Sequence, residues 1–282
     1  MGFKDILVTL DVEPSSARRL AYAAELARLN EARLVGLFVI EPLNLAAYFS
    51  PAISGYIAAD AMAEIERQQR AAASANAKKV EAAFRDACSR GGISGEWRLA
   101  EGDTAETGVL HARYVDLAVT GQVDPENPPP GSAARLPEQL ALASGRPVLI
   151  FPYAGKFDTV GRRVLVAWGR TRESARAVND AMPILKRAEK VSVLSINPET
   201  DGSIPGADIS LHLAHHGVKA EATSTVAKDI DIGNTLLSRA ADFGSDLIVM
   251  GCYGHSRARE LMLGGATREI LRHMTTPVLM SH

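Results

Sequence analysis

Short runs of apolar, mostly β-branched residues alternate along this chain with longer stretches whose apolar positions recur at helical spacing. Residues 6–11 read ILVTLD and open one such cycle, and residues 15–29 follow with an alanine-rich amphipathic pattern that predicts a helix. Residues 34–40 predict a second strand and residues 96–99 a third, then a helix, the segment DLAVTG at 116–121, another helix and a closing PVLI at 147–150. The cycle then starts again. VLVAWG at 164–169 is followed by a helix over 172–187, strands over 191–196 and 219–226, a helix, DLIVMG at 246–251, a helix, and PVLM at 277–280. Near-continuous apolar strands alternating with helices predict a parallel sheet covered on both faces.

The two cycles are copies. Residues 6–11 match 164–169 at an offset of 158, and Ser16-Ala17-Arg18 matches Ser174-Ala175-Arg176 at the same offset. The DLxVxG segments and the closing PVL segments match at an offset of 130, so the first copy carries 28 more residues in its middle. Four matched blocks in the same order point to internal duplication. Residues 57–90, predicted as one or two long polar-faced helices, supply the extra length; a packing helix over the sheet is the plainer reading, a partner-binding helix the other. The polar segment YAGKFDTVGRR at 153–163 reads as a linker too short to let the halves wander. The expected domains are 1–153 and 160–282.

Composition narrows the function classes. The 282 residues are 46% hydrophobic and 23% charged, enough for two cores, and the formal net charge of -2 gives no reason to expect nucleic acid or an anionic membrane as partner. Two cysteines, Cys88 and Cys252, in different halves suit a reduced cytosolic protein. The N-terminus runs straight into a strand-like segment without the apolar stretch of a leader, and no run of about 18 apolar residues occurs. The expectation is a soluble cytoplasmic protein.

The chemistry-bearing pattern lies after the strand at 246–251. Gly251-Cys252-Tyr253-Gly254 is followed, after nine residues, by Gly264-Gly265-Ala266-Thr267. Glycine at a strand's carboxyl end lets the backbone turn sharply, and a glycine pair before a helix offers free amides at its positive end, which suits a polyphosphate. Spacing alone is equally met by two tight loop connections. The segment GCYGHSRARELMLGGATREILRHMTTPVLMSH resembles the universal stress proteins, whose ATP-binding members carry Gly-x2-Gly-x9-Gly-(Ser/Thr), and the similarity covers nearly the whole chain as a tandem pair. The resemblance implies an α/β fold of two Rossmann-like units. Each would be a five-stranded, mainly parallel sheet flanked by helices, and the two would associate as a pseudo-dimer through their edge strands. It also implies binding of an adenine nucleotide, ATP or AMP with or without magnesium, in a copy that keeps the loop.

Residue by residue, the copies differ. Gly251, Gly254 and Gly264 fall on the motif glycines, Gly265 stands where the family has Ser or Thr, and Ala266 and Thr267 follow, Thr267 with a hydroxyl. His255 lies inside the loop, where it would approach phosphate when protonated or simply be solvated, and Ile196 falls near the adenine-side position. Gly169 replaces the aspartate that ends the family's first strand. The first copy is the reverse: Asp11 is in place and Val39 or Ile40 matches the adenine side, but after Gly121 the chain reads QVDPENPPPGS. Asp124 and Glu126 would repel phosphate, three prolines offer no amide donors, and Gly131-Ser132 comes three residues early. The first copy is thus expected to be degenerate for ATP.

No residue order demands turnover, and weak ATP hydrolysis is the most the site implies. His212 and His216 share a helical face that a metal could use, but no Cys or carboxylate joins them, and Gly217 is expected to end that helix. Cys252, flanked by glycines and near Arg257 and Arg259, is either redox-sensitive or an inert thiol. Met262 and Leu263 are an exposed anchor or part of the loop's packing. The leading reading is a stress-response protein that binds one adenine nucleotide in its second domain and responds through an unknown protein partner, with a homodimer left open. The competing reading is a nucleotide-independent scaffold whose sites have decayed.

Overall fold

A computed structural model describes residues 2–42, 59–198, 204–227, 231–252 and 265–282. The first unit contains β1 (Asp5–Thr9), α1 (Pro14–Asn30), β2 (Arg33–Ile40), α2 (Ala59–Gly91), β3 (Gly95–Glu101), α3 (Thr104–Ala112), β4 (Leu117–Gly121), a 3-10 turn (Gly131–Arg135), α4 (Leu136–Ala143) and β5 (Val148–Phe151). The second unit contains β6 (Arg163–Ala167), α5 (Arg172–Leu185), β7 (Lys190–Ile196), α6 (Ala207–His215), β8 (Ala220–Thr225), α7 (Ile232–Asp242), β9 (Leu247–Gly251), α8 (Ala266–His273) and β10 (Val278–Ser281).

Among the described residues, ten strands form one sheet in the order β3-β2-β1-β4-β5-β10-β9-β6-β7-β8. Every pairing within a unit is parallel, and the units meet at β5 and β10, which run antiparallel. At that seam Leu149 pairs with Leu279. These are equivalent residues of the two copies, so a pseudo-two-fold axis passes between them.

Strand composition follows position in the sheet. The inner strands β4, β5, β9 and β10 are buried almost throughout, whereas the outermost β3 and β8 are half-exposed and carry charges such as Glu96, Arg98 and Glu221. Charged side chains on an edge discourage pairing with another chain. Alternation sends Ile6 and Val8 to one face and Leu7 to the other, and each face carries one apolar cluster that continues from the first unit into the second. The seam is therefore cored on both sides.

The extra segment of the first unit is a single helix over its described length. Phe84 is 1% exposed and packs on Trp97 with ring centroids 5.6 Å apart, and Gly36 leaves the room for its ring. The packing reading thus holds for the later turns of α2, while residues 66–72 are exposed.

The linker is fastened at both ends. Arg18 donates to the carbonyls of Tyr153 and Gly155, and Phe157 packs on Phe151 with centroids 6.4 Å apart. Asp246 accepts the Gly161 and Arg163 N–H groups at 3.0 and 2.9 Å and the Thr159 hydroxyl at 2.6 Å. Its counterpart Asp116 accepts the Lys4 and Asp5 N–H groups at 2.6 and 3.0 Å. Both aspartates, at the amino ends of β4 and β9, have this structural task.

Candidate functional site

In the second unit the relevant groups lie at the carboxyl ends of the adjacent strands β9, β6 and β7. Gly251 ends β9, Gly169 follows β6, and Ile196 ends β7, half-buried against the apolar cluster on the Leu7 face. A Cβ on Gly251 would lie 2.5 Å from the Glu173 carbonyl carbon and from the Ser174 nitrogen. Only glycine lets the first turn of α5 approach the strand this closely. Gly265 caps α8, Ala266 opens it, and Thr267 is 3% exposed. Gly254, His255 and Gly264 lie outside the described residues, as do Met262, Leu263, Arg257 and Arg259.

Two further residues alter the picture at this end. Glu173, in the first turn of α5, is 7% exposed and starts beside Gly251. Burial pushes its carboxyl up, but hydrogen bonds from its own N–H and the Thr171 side chain, together with Arg172, outweigh this and hold it below the usual carboxylate range. Cys252 is 1% exposed, and its N–H donates to the Ser281 carbonyl at 2.9 Å. Of the two readings of Cys252, the inert thiol fits this burial, and its N–H extends the β9–β10 pairing by one residue.

The first unit contains a cavity of about 530 Å³ at the same end of its sheet, bordered by Thr9, Asp11, Leu37, Val39, Gln122 and Leu136 among others. Asp11 is paired with Arg19 at 2.7 Å, and Arg19, 2% exposed, also donates to the Thr9 carbonyl at 2.9 Å. The second copy has Ala177 in place of Arg19. Gly121 is needed here because a Cβ would collide with the Arg19 guanidinium.

The end of the loop that follows β4 is occupied from within. Glu41 accepts the Ser132 N–H at 2.8 Å and the Ser132 and Thr104 hydroxyls at 2.8 and 2.7 Å. Gly131, at φ 68°, brings the turn against this carboxylate and leaves no room for a Cβ. Burial pushes the Glu41 carboxyl up, and the Ser132 and Thr104 hydrogen bonds more than compensate, holding it below its ordinary value. Asp124 is turned to its own loop, accepting from the Glu126 N–H at 2.9 Å.

A model of the universal stress protein family matches residues 2–143 and again residues 161–282. The chain belongs to the universal stress protein family. Among solved structures, one from Archaeoglobus fulgidus described as a universal stress protein aligns at TM-score 0.72 and 17% identity, over 98% of this chain and 97% of that one. A putative universal stress protein from Pseudomonas aeruginosa aligns at TM-score 0.56 and 16% identity, over 99% and 93% of the two chains. Both share the fold. A universal stress protein in complex with cAMP matches 55% of this chain over its whole length, at 20% identity and TM-score 0.39. Comparison with curated proteins finds no match.

Within this tandem universal stress protein, the sheet register settles one ambiguity of the sequence. Leu37 pairs with Thr9 and Leu194 with Ala167, so Val39 and not Ile40 is the counterpart of Ile196. Glu41, Arg19, Gln122 and Glu173 are the residues at these strand ends that sequence reasoning misses. Only Glu173 had a local signal, a carboxylate in the first turn of a helix after a Thr cap. His212 on α6 and His216, which caps its carboxyl end, have ring centroids 4.7 Å apart, and Gly217 follows at φ 79°. Among the described residues no group of three or more His, Cys, Asp or Glu is placed to hold a metal ion, and no helix is long and apolar enough to cross a membrane.

Proposed function

We propose that the second domain, residues 160–282, binds one adenine nucleotide, ATP or AMP, and that occupancy signals without metabolic turnover. The observation that carries this reading is the placement of Gly251 at the carboxyl end of β9, packed on the first turn of α5, with Gly265, Ala266 and Thr267 opening α8 at the other end of the same loop. Ligands of open α/β sheets lie at carboxyl ends of strands, and helix starts favour anions. The intervening Gly254, His255 and Gly264 complete the Gly-x2-Gly-x9-Gly pattern in sequence, and Ile196 offers an apolar side for the base.

Glu173 bears on magnesium. Its Cβ and carbonyl carbon lie beside the strand end that would face phosphate, where Gly169 supplies no carboxylate, and its own carboxylate, paired with Arg172 at 3.1 Å, would repel a phosphate brought there. A divalent cation shared between Glu173 and the phosphates would relieve that repulsion, and a carboxylate oxygen is the donor such an ion prefers.

Mass spectrometry of nucleotide co-purifying with the native protein tests the reading, with Gly254→Val alongside. ATP or AMP at about one per chain, lost in the variant, is the expected result. An empty protein that also ignores added ATP would replace it with the scaffold reading, which the missing hydroxyl at Gly265 and the missing carboxylate at Gly169 favour.

A further inference from the structure

We propose that the first-domain cavity is a second binding site, for an uncharged ring compound bearing hydroxyl donors, and that Glu41 makes it reject phosphorylated ligands. The volume of about 530 Å³ is that of a small-molecule site. One side is apolar, with Leu37 and Val39 from β2 facing Leu136 from α4. At the mouth, Asp11 keeps about half its side chain exposed, so its carboxylate can accept from a ligand hydroxyl.

Charge decides what else may enter. The two arginines among the lining residues are already engaged, Arg18 on the Tyr153 and Gly155 carbonyls and Arg19 on Asp11 and the Thr9 carbonyl. Of the other charges among the described lining residues, Asp11 already offsets Arg19, and Glu13 and Asp124 are negative. The wall formed by Thr104 and Ala133 is backed by Glu41, whose carboxylate takes the Ser132 N–H and both nearby hydroxyls. Donors that a phosphate would need there are spent on an internal anion, and that anion would repel it. A neutral ligand meets neither obstacle.

Adenosine and AMP are the probes, since they differ only by the phosphate. Titration calorimetry is run on the full chain, on Gly254→Val, and on Gly254→Val combined with Glu41→Gln or with Asp11→Asn. The inference expects Gly254→Val to bind one adenosine per chain, with AMP at least about tenfold weaker. Adding Glu41→Gln, which keeps the side chain's shape and an acceptor for Ser132, should bring AMP to within about threefold of adenosine. Asp11→Asn should weaken adenosine about tenfold. Adenosine that fails to bind Gly254→Val overturns the inference and leaves the second-domain reading untouched. AMP that binds Gly254→Val as well as adenosine does, and is weakened by Asp11→Asn, also overturns it. AMP binding that survives both Gly254→Val and Asp11→Asn counts instead against the second-domain site. Circular dichroism melts confirm that each variant is folded, and a folded Glu41→Gln protein that still excludes AMP assigns the exclusion elsewhere and sinks the role of Glu41.

Discussion

Gln122, just beyond β4 in the first unit, donates to the carbonyl of Leu271 at 2.9 Å and to that of Arg272 at 3.0 Å in the last turn of α8. Its own side-chain oxygen accepts the Tyr153 N–H at 3.3 Å. The last carbonyls of a helix have no partner within it, so this amide satisfies two of them from the other unit. The same helix begins with Gly265, Ala266 and Thr267, so the cavity of one unit and the loop of the other are linked through one short rigid element.

Replacing Gln122 by Ala should lower the stability of the whole chain by about 1–3 kcal/mol, since the bonds are partly buried and the carbonyls lose their donor. Urea denaturation followed by circular dichroism measures this. An unchanged midpoint would mean that water replaces the amide and the apolar seam alone joins the units.

Acid should weaken the protein partly through Glu41. A carboxyl whose folded value is depressed adds stability at pH above its unfolded value, near 4.3, and that stability is lost as pH falls towards the lower folded value. Thermal melts from pH 7 to pH 3 should therefore show a shallower acid limb in Glu41→Gln than in the parent. Some slope will remain, because Asp103, held low by the Glu106 N–H it caps, and Glu96, held low by Arg98, contribute in the same sense. Identical slopes would show that Glu41 titrates alike in both states.

Glu173→Gln should make nucleotide binding less dependent on magnesium. With the charge removed, affinity for ATP in the presence of a chelator should rise by about tenfold or less, while affinity with magnesium stays level or falls. Parallel titrations with and without the ion check this. Equal magnesium dependence in both proteins would remove Glu173 from the site.

Glycine positions separate steric from conformational need. Gly251→Ala places a Cβ 2.5 Å from α5 backbone atoms that cannot rotate away, so a loss of about 1–3 kcal/mol is expected, along with displacement of the helix start. Gly145→Ala meets nothing within 4 Å, and its φ of 70° alone should cost about 1 kcal/mol. Chemical denaturation of the two variants should rank them in that order.

The duplication, the strand sequence and the closing segments were legible because each rests on a local apolar run, and parallel inner strands carry such runs in full. The register between copies was legible for the same reason, to within one residue at Val39. What was not legible depends on contacts between distant positions. Glu41 and Ser132 are 91 residues apart, and Gln122 and Leu271 are 149 apart. The sequence showed that the first loop lacks the second motif glycine and carries three prolines, yet not that a carboxylate just beyond β2 fills its last turn. The two readings of Cys252 stayed open in the sequence because its pairing with Ser281 of β10, 29 residues on, has no local signal. Arg19 falls inside the helix predicted over residues 15–29, and nothing local marks its guanidinium as buried under Gly121.

The antiparallel junction of Leu149 with Leu279 has a consequence for inheritance. In an assembly of two identical polypeptides, every altered codon appears twice, so a change that closes one pocket closes its twin. Here the two halves share a covalent backbone but are encoded separately. Arg19 could therefore arise opposite Ala177, and a proline run opposite a glycine loop, without either change being copied across the dyad. Fusion gave the partnership the freedom to divide its labour.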